Sequence, residues 1–362
     1  MYIQSLELKN YRNYENLDIT FDPHINILYG DNAQGKTNIL EAIFLSATTK
    51  SHRGSKDSEI IRFEEQESHI RSYICKDEIA HKIDMHLKKN RSKGVAIDGL
   101  TIRKSSELFG MCNIIFFSPE DLGIIKNGPA QRRRFMDTEL CQLDKIYLQY
   151  LAKYNKVLIQ RNNLLKQINY NRDLLDTLPV WDAQLVQYGT YIIKRRAEFL
   201  KQLNTIIYDK HKQLTGGLES ICLEYDNNIL VEQYSKALQD KRQQDLRNCN
   251  TSVGPHRDDI RFLVNDIDIR KFGSQGQQRT AALSLKLSEI TIVQEQIKDS
   301  PILLLDDVLS ELDANRQNYL LGSIRDIQVI ITCTGLNEFV NNRLSMDRVY
   351  EVVQGNVKQV GK

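Results

Sequence analysis

Residues 25–44 read INILYGDNAQGKTNILEAIF, and this stretch decides the fold. The apolar run over residues 25–29 predicts a short buried strand, and apolar residues recur at helical spacing from Ile39 onwards. Between them, residues 30–37 match the phosphate-loop pattern G-x-x-x-x-G-K-[ST] in full. A strand, a glycine-bounded loop and a helix in this order are the context that such a loop requires. The stretch therefore predicts an α/β protein that binds ATP.

The loop residues have different expected roles. Glycines allow the backbone to curl so that its N–H groups point at phosphate oxygens, and the next helix adds its positive N-terminal end. The Lys36 ammonium is expected to reach the β and γ phosphates and to act in catalysis, and the Thr37 hydroxyl is expected to bind Mg²⁺. The residues expected to bind ATP are Gly30, Asp31, Asn32, Ala33, Gln34, Gly35, Lys36 and Thr37.

A second nucleotide motif lies far along the chain. Residues 302–305 (ILLL) predict a buried strand that ends in Asp306 and Asp307. Such a strand delivers a carboxylate beside the phosphate loop, so we expect Asp306 to hold Mg²⁺. Asp307 is then the candidate for polarising the attacking water. The long separation of the two motifs predicts a core that is split by an insertion.

Residues 272–279 (FGSQGQQR) open a helix predicted over residues 276–298, and they resemble the signature sequence of the ABC-type ATPases. In that family the signature contacts the nucleotide of a second subunit, because an exposed helix N-terminus attracts anions. The alternative is a polar loop before an amphipathic helix. The residues that the resemblance implies at the partner's ATP are Ser274, Gln275, Gly276 and Gln277.

A short segment after Asp307 resembles the loop by which two such heads communicate. It reads Ser310-Glu311-Leu312-Asp313. The resemblance implies that Ser310 and Asp313 lie at a dimer interface.

Two further regions have clear patterns. Residues 59–103 predict an antiparallel β meander, in which Asp98 and Gly99 form a two-residue hairpin turn. Residues 129–214 predict two long amphipathic helices, joined by residues 169–180, that pack as an antiparallel hairpin.

The expected fold class is α/β, an ABC-type P-loop ATPase head with an N-terminal antiparallel β meander and an inserted α-helical lobe. The head is expected over residues 1–125 and 216–362, and the lobe over residues 126–215.

Composition places the chain in the cytoplasm. The net charge of +2 combines 49 basic and 47 acidic residues, which neither requires nor excludes nucleic acid as a partner. Six cysteines stand apart without a CxxC pair, as expected of reduced thiols. The N-terminus lacks the pattern of a signal peptide, and no run of about 18 apolar residues predicts a membrane span.

Together, segments along nearly the whole chain resemble the RecF family, bacterial recombination mediators with an SMC-like ATPase head. Those segments are LKNYRNYE (8–15), GDNAQGKTNILEAI (30–43), SHR (51–53), FFSPEDL (116–122), GPAQRRRFMD (128–137), GPHRDD (254–259), GSQGQQRT (273–280) and LLLDDVLSELD (303–313). The resemblance implies that ATP joins two heads into a dimer on DNA and that hydrolysis releases them. It also implies that RecR and RecO are partners and that RecA is loaded at single-strand gaps.

The chain departs from the general ABC pattern in two places. Asp307 stands where many ABC heads carry Glu, and its shorter carboxylate lies about one methylene further from the water. Thr332 stands where ABC heads usually carry His, and a hydroxyl can hydrogen-bond but does not titrate. Both departures predict slow hydrolysis that times a switch.

Contact with DNA has weaker support in the sequence. The candidates are Arg53, Arg132, Arg133 and Arg134, whose phosphate contacts would be salt-sensitive and independent of sequence. The alternative is a solvated charged face, or pairing of the three consecutive arginines with acids inside the helical lobe. For His256 and Arg257, a core-packing or interface role is at least as plausible as a catalytic one.

Three other classes of protein remain open at this stage. A transport-coupled ATPase is disfavoured by the missing His and the large insertion. An SMC-like chromosome organiser is disfavoured because helices within residues 130–215 are too short to reach far, at about 1.5 Å per residue. A metabolic kinase is least favoured, because no separate acceptor site is visible.

Overall fold

The chain folds as two compact units. The first unit contains Met1–Asp121 and Glu289–Lys362, and the second contains Leu122–Ser288. The computed structural model describes residues 1–104, 107–324, 326–335 and 347–361.

An antiparallel sheet forms one layer of the first unit. Its strands are β1 (Tyr2–Tyr11), β2 (Tyr14–Thr20), β4 (Glu67–Lys76), β5 (Ile79–Lys88), β6 (Arg91–Ile97) and β7 (Leu100–Thr101). The strand order is β2-β1-β4-β5-β6-β7. Alternate residues of β4 and β5, such as Ile70 and Met85, are buried, so one face covers the core and the other meets solvent. Asp98 and Gly99 have φ of 51° and 83°, which suits a type I′ turn and confirms the predicted hairpin.

A second sheet of the first unit carries the nucleotide motifs. Its strands are β3 (Ile25–Tyr29), β8 (Ile114–Phe117), β12 (Ile302–Asp306), β13 (Val329–Cys333), β14 (Arg348–Val353) and β15 (Asn356–Gly361). The order is β15-β14-β3-β13-β12-β8, and all neighbours are parallel except the β14–β15 hairpin. Four adjacent strands, β3, β13, β12 and β8, are almost wholly buried, as is typical of parallel strands. The carboxyl ends of β3, β13 and β12 therefore meet at one edge.

The helices of the first unit are α1 (Lys36–Thr48), α2 (Asp57–Ile60) and α11 (Ala314–Ser323). Every residue of α1 from Ile39 to its end is buried, so α1 lies inside the core on all sides. The sequence pattern predicted only one buried face, because apolar residues mark one face and polar residues such as Glu41 and Ser46 occur between them. Those residues make internal hydrogen bonds instead.

The second unit is mainly helical. Its helices are α3 (Leu122–Lys126), α4 (Pro129–Leu143), α5 (Lys145–Ile168), α6 (Leu178–Leu214), α7 (Tyr234–Asp240), α8 (Arg242–Asn248), α9 (Ile269–Phe272) and α10 (Gln275–Ile297), of which α10 continues into the first unit. Tyr147 of α5 contacts Arg196 of α6, whereas Arg161 contacts Asp182. The start of α5 therefore contacts the middle of α6, and the end of α5 contacts the start of α6. This arrangement confirms the predicted antiparallel hairpin.

A small antiparallel sheet completes the second unit, in the order β11-β10-β9. The strands are β9 (Ile221–Asp226), β10 (Asp259–Val264) and β11 (Ile267–Asp268). Because this sheet and the start of α10 belong to the second unit, the compact unit runs to Ser288, beyond the predicted lobe boundary at residue 215. The functional division into a head and a lobe stays a prediction. In the described part of the chain, no helix combines the length and apolar character that crossing a bilayer requires.

Candidate nucleotide site

The phosphate loop connects β3 to α1. Gly30, Ala33 and Gly35 have φ of 150°, 64° and 115°, a region that glycine enters at little steric cost. The Lys36 ammonium donates hydrogen bonds to the carbonyl oxygens of Gly30 (2.6 Å) and Asp31 (2.9 Å). It therefore lies inside the curl of the loop, where its charge suits an anion.

The turn between β1 and β2 supports the loop from one side. Asn13 Nδ2 donates to the Gln34 carbonyl oxygen (3.0 Å), and Asn38 Nδ2 donates to Asn13 Oδ1 (2.8 Å). A Cβ on Gly35 would lie 2.5 Å from Asn13 Nδ2 and 2.7 Å from the Tyr14 hydroxyl oxygen. Residue 35 must therefore be glycine on two grounds, its φ and the closeness of this turn.

The turn between β14 and β15 supports the same loop residue. The Gln354 N–H donates to Gln34 Oε1 (2.6 Å), and the Gly355 N–H donates to the Gln34 carbonyl oxygen (3.2 Å). The sequence patterns assigned no role to Asn13 or Gln354. The only sequence signal was that Asn13 falls within the LKNYRNYE segment.

The two nucleotide motifs meet at the carboxyl edge of the second sheet. Asp306 Oδ1 accepts hydrogen bonds from Thr37 Oγ1 (2.7 Å) and Thr332 Oγ1 (2.8 Å), although Thr37 and Asp306 are 269 positions apart. Thr332 Oγ1 in turn accepts from the Asp307 N–H (3.0 Å). Because β13 lies between β3 and β12, Thr332 is placed to join both aspartates. The residue that stands where ABC heads usually carry His therefore has a structural role.

These oxygens fit a hard divalent cation. Burial raises the pKa of Asp306 and adjacent Asp307 adds to this, whereas the hydrogen bonds from Thr37 and Thr332 lower it. A bound cation would offset the cost of the buried charge. Thr37 and Asp306 are the side chains that would hold Mg²⁺, whose chemistry is to neutralise the phosphate oxygens.

Asp307 follows the end of β12 with φ of 52°, a left-handed conformation that aspartate adopts more readily than most residues. Ser310 Oγ donates to its carbonyl oxygen (2.8 Å). An open cleft adjoins it at this edge of the sheet. The residues that line the cleft are Asp307, Leu309, Ser310, Thr332, Cys333, Thr334 and Gly335.

Glu41 of α1 joins three of the segments that carry the family resemblance. Arg12 donates two hydrogen bonds to its carboxylate, each 2.8 Å long, and Ser51 Oγ donates a third of 2.5 Å. Burial alone would raise the pKa of Glu41, but these hydrogen bonds and the Arg12 charge hold it below the ordinary value. The pair fastens β1 to the helix that follows the phosphate loop. The sequence analysis assigned no role to this pair, because Arg12 and Glu41 are 29 positions apart.

The signature segment begins α10 in the second unit. Ser274 Oγ accepts from the Gln277 N–H (3.1 Å), and Gln277 Oε1 accepts from the Ser274 N–H (2.9 Å), which is a capping box. Ser274, Gln275 and Gly276 are exposed, so the positive end of a 23-residue helix faces solvent. The predicted contact with a partner's ATP stays a prediction.

The predicted dimer-loop residues are both exposed and close to the site in sequence. Asp313 caps α11, since its Oδ1 accepts from the Arg316 N–H (3.0 Å). Ser310 is tied to Asp307 as described above. Their role between two copies of the chain stays a prediction.

The structure contradicts a DNA contact for Arg132. Its side chain is 1% exposed, and it donates to both carboxylate oxygens of Asp259 (2.5 and 3.0 Å). Arg132 therefore pairs with an acid, as the alternative expected, but that acid, Asp259, lies outside the predicted lobe of residues 126–215. A run of three arginines on a helix cannot all face one way, so one side chain turns inward.

The other DNA candidates differ in exposure. Arg133 is half-buried, its Nη1 donates to the Asp258 carbonyl oxygen (2.7 Å), and burial lowers the pKa of Arg133. Arg134 and Arg53 are exposed. Arg53 lies beside α1, with its Nη1 3.4 Å from Asn38 Oδ1, and its charge helps to lower the pKa of Asp306. Arg53 therefore lies close to the nucleotide site.

His256 and Arg257 hold a loop together in the second unit. His256 Nε2 donates to the Thr251 carbonyl oxygen (3.0 Å), which leaves Nδ1 to accept from the Tyr154 hydroxyl (2.7 Å). Arg257 Nη2 donates to the same Thr251 oxygen (3.0 Å). Burial lowers the pKa of His256 to about 4. These contacts support a packing role for His256, whereas Arg257 is exposed and its role stays a prediction.

Comparison with known proteins agrees with this geometry. Residues 2–358 match the family described as RecF/RecN/SMC N terminal domain. A DNA replication and repair protein RecF of Agathobacter rectalis is 62% identical over 360 residues, covering 99% of both chains. A solved structure described as the recombination mediator RecF-ATP in the RecFOR pathway is 36% identical, with a TM-score of 0.93 over 99% of this chain and 98% of that one.

A Smc head domain of Pyrococcus furiosus with an extended coiled coil shares the fold alone, at 19% identity and a TM-score of 0.57 over 99% of this chain and 96% of that one. The predicted fold class, an α/β ABC-type ATPase head, is confirmed by these likenesses. On the full-length identity and the matched motifs, the chain belongs to the RecF family of DNA replication and repair proteins.

Proposed function

We propose that this chain is an ATP-operated, DNA-binding switch of recombinational repair and replication restart. The observation that carries the proposal is the hydrogen bond between Thr37 and Asp306, which unites two distant motifs at one strand edge. The ATP complex of a relative supports ATP as the ligand. Lys36 would balance the phosphate charge, and Thr37 and Asp306 would hold Mg²⁺.

The proposed switch works through a dimer. ATP held by residues 30–37 of one copy would meet the exposed N-terminus of α10 in a second copy, giving two composite sites by symmetry. Ser310 and Asp313 would lie at that interface. Asp307 would polarise the attacking water, and its short side chain favours slow hydrolysis that sets the lifetime of the dimer. The chain would perform no chemistry on DNA itself.

The proposed ligand of the dimer is DNA, bound without sequence preference. Exposed Arg53 and Arg134 are the better candidates for phosphate contacts, and half-buried Arg133 is a weaker one. The relative's place in a RecFOR pathway supports RecO and RecR as partners. The loading of RecA at single-strand gaps is the proposed outcome. The cytoplasm is the proposed location.

Sizing by light scattering, with and without ATP and with gapped DNA, tests this function. The expected result is a monomer without ATP, a dimer with ATP and Mg²⁺, and tighter DNA binding by the dimer. A chain that stays monomeric with ATP and binds no DNA at low salt would refute the proposal.

A further inference from the structure

Two histidines and a glutamate share the solvent face of the antiparallel sheet in the first unit. Glu67 and His69 lie two positions apart on β4, and His86 of β5 pairs directly with His69 across the strands. Because side chains alternate along a strand, all three point to the same face. Their neighbours Ser68 and Leu87 point to the core and are buried.

The ligand atoms of these side chains converge. His86 Nε2 lies 3.0 Å from Glu67 Oε2, and His69 Nε2 lies 4.0 Å from Glu67 Oε1. The two imidazole rings stack with centroids 3.9 Å apart. One ligand atom from each residue falls within 4.8 Å of the others. A single ion can therefore reach all three after a small rotation of the exposed rings.

The cluster is open to solvent and loosely held. The side chains of His69, Glu67 and His86 are 49%, 50% and 32% exposed. On the far side of His86, the paired residue of β6 is Gly94, so no side chain covers the ring from that strand. The nearest competing charge is Lys88, whose Nζ lies 3.7 Å from Glu67 Oε2. An exposed ion pair of this kind is weak and easily displaced.

We propose that Glu67, His69 and His86 form a binding site for a divalent transition-metal ion of the Zn²⁺ class. Two imidazole nitrogens and one carboxylate oxygen are the donors that Zn²⁺ favours, with water as the fourth ligand. Mg²⁺ prefers an all-oxygen set, so this site is distinct in chemistry from the one at Thr37 and Asp306. The bound ion would cross-link β4 and β5 on the surface of the sheet.

Two lysines face the cluster across the strand pairs. Lys9 faces His69 from β1 and Lys88 faces Glu67 from β5, and both weaken cation binding without filling the site.

Calorimetric titration of the full chain with Zn²⁺, at neutral pH and without nucleotide, tests the site. The expected result is one saturable ion per chain. His69→Ala and His86→Ala should each weaken binding by more than the roughly 10–100-fold that loss of an outer-shell partner causes. His81→Ala is the matched control, because His81 also lies on β5 but pairs with Asp98.

Two further variants test whether Zn²⁺ binds elsewhere, at an exposed thiol or at the phosphate loop. Cys222→Ser removes an exposed thiol, and Lys36→Ala disables the phosphate loop; both should bind Zn²⁺ as the original chain does. With Co²⁺ as the probe, visible absorption typical of a low coordination number should appear and should be lost in His86→Ala. The absence of saturable binding, its retention in His86→Ala, or an equal loss in His81→Ala or Cys222→Ser would overturn the proposal.

Discussion

Half-buried His256 should make the second unit lose stability as the pH falls. The folded chain holds this imidazole neutral between Tyr154 and the Thr251 carbonyl oxygen, with Nε2 as donor and Nδ1 as acceptor. Protonation of Nδ1 would make it a donor that faces the donor hydroxyl of Tyr154, and it would place a charge in a partly buried site. The proton therefore binds the unfolded chain more readily than the folded one.

The size of this effect follows from the pKa of His256. Burial, with the charges of Arg257 and Arg133, lowers it from 6.5 to about 4. Each unit corresponds to about 1.4 kcal/mol, so the free energy of unfolding should fall by about 3 kcal/mol between those two pH values. The contribution of His256 to the free energy of unfolding is fully present above pH 6.5, where this residue is unprotonated in both the folded and the unfolded chain. It is lost completely below about pH 4.

The single tryptophan, Trp181 of α6, reports on the second unit alone. Urea unfolding followed by its fluorescence, across a pH series, gives the slope of stability with pH. His256→Gln keeps a neutral amide in place of the ring, and it should remove most of the slope whatever its effect on stability at neutral pH. Tyr154→Phe serves as a control that loses a hydrogen bond but leaves the titrating group in place.

An equal slope in the original chain and in His256→Gln would refute this reasoning. It would mean that other groups account for the pH dependence, such as Asp144, where burial would raise the pKa but hydrogen bonds from the Tyr147 N–H and Arg195 hold it below the ordinary value. A slope in Tyr154→Phe as steep as in the original chain would show that burial, and not the Tyr154 hydroxyl, accounts for the lowered pKa of His256.

Three further predictions concern the nucleotide site and the core. Gly35→Ala should weaken ATP binding by about tenfold or more. A left-handed φ alone costs a residue with a side chain about 1–2 kcal/mol, and Asn13 leaves no room for the added Cβ. Unchanged binding of a fluorescent ATP analogue would contradict this prediction. Asp307→Asn keeps the left-handed backbone but removes the carboxylate, so phosphate release should slow by roughly 10²–10⁴-fold while ATP still binds. Arg161→Met should destabilise the second unit by about 3–5 kcal/mol in the Trp181 assay, because buried Asp245 loses its ion-pair partner and Asp182 keeps only Arg242. A smaller loss than for an exposed control, Lys156→Met, would refute it.

Much of the fold was predictable because its signals are local. The phosphate loop, the turn at Asp98 and Gly99, and the helix that starts after Ser274 all depend on residues close in sequence. The buried strands at residues 302–305 and 329–332 also read as continuous apolar runs. By contrast, β14 and β15 were missed, because their residues mix polar and apolar types without a clear period.

The parts of the site that sequence could not predict depend on contacts between distant residues. Thr332 looked like a missing histidine, but its hydroxyl joins Asp306 to the Asp307 backbone. The burial of Glu41 was not predicted, because the residue that compensates its charge, Arg12, comes from the turn after β1. Arg132 was a candidate DNA contact because the sequence alone does not show that Asp259 lies beside it in the fold.

The proposed composite site is tested most directly by mixing two defective variants. Lys36→Ala cannot hold ATP but keeps an intact signature, whereas Ser274→Arg holds ATP but blocks its own signature. Each alone should stay monomeric with ATP, near the 42.0 kDa of one chain.

Mixing the two variants with ATP should restore a dimer in light scattering, because ATP on the Ser274→Arg chain can meet Ser274 of the other. That heterodimer should be weaker than the original dimer, since it contains one complete site. The account is contradicted if the mixture stays monomeric while the original chain dimerises, or if Ser274→Arg alone dimerises as the original does.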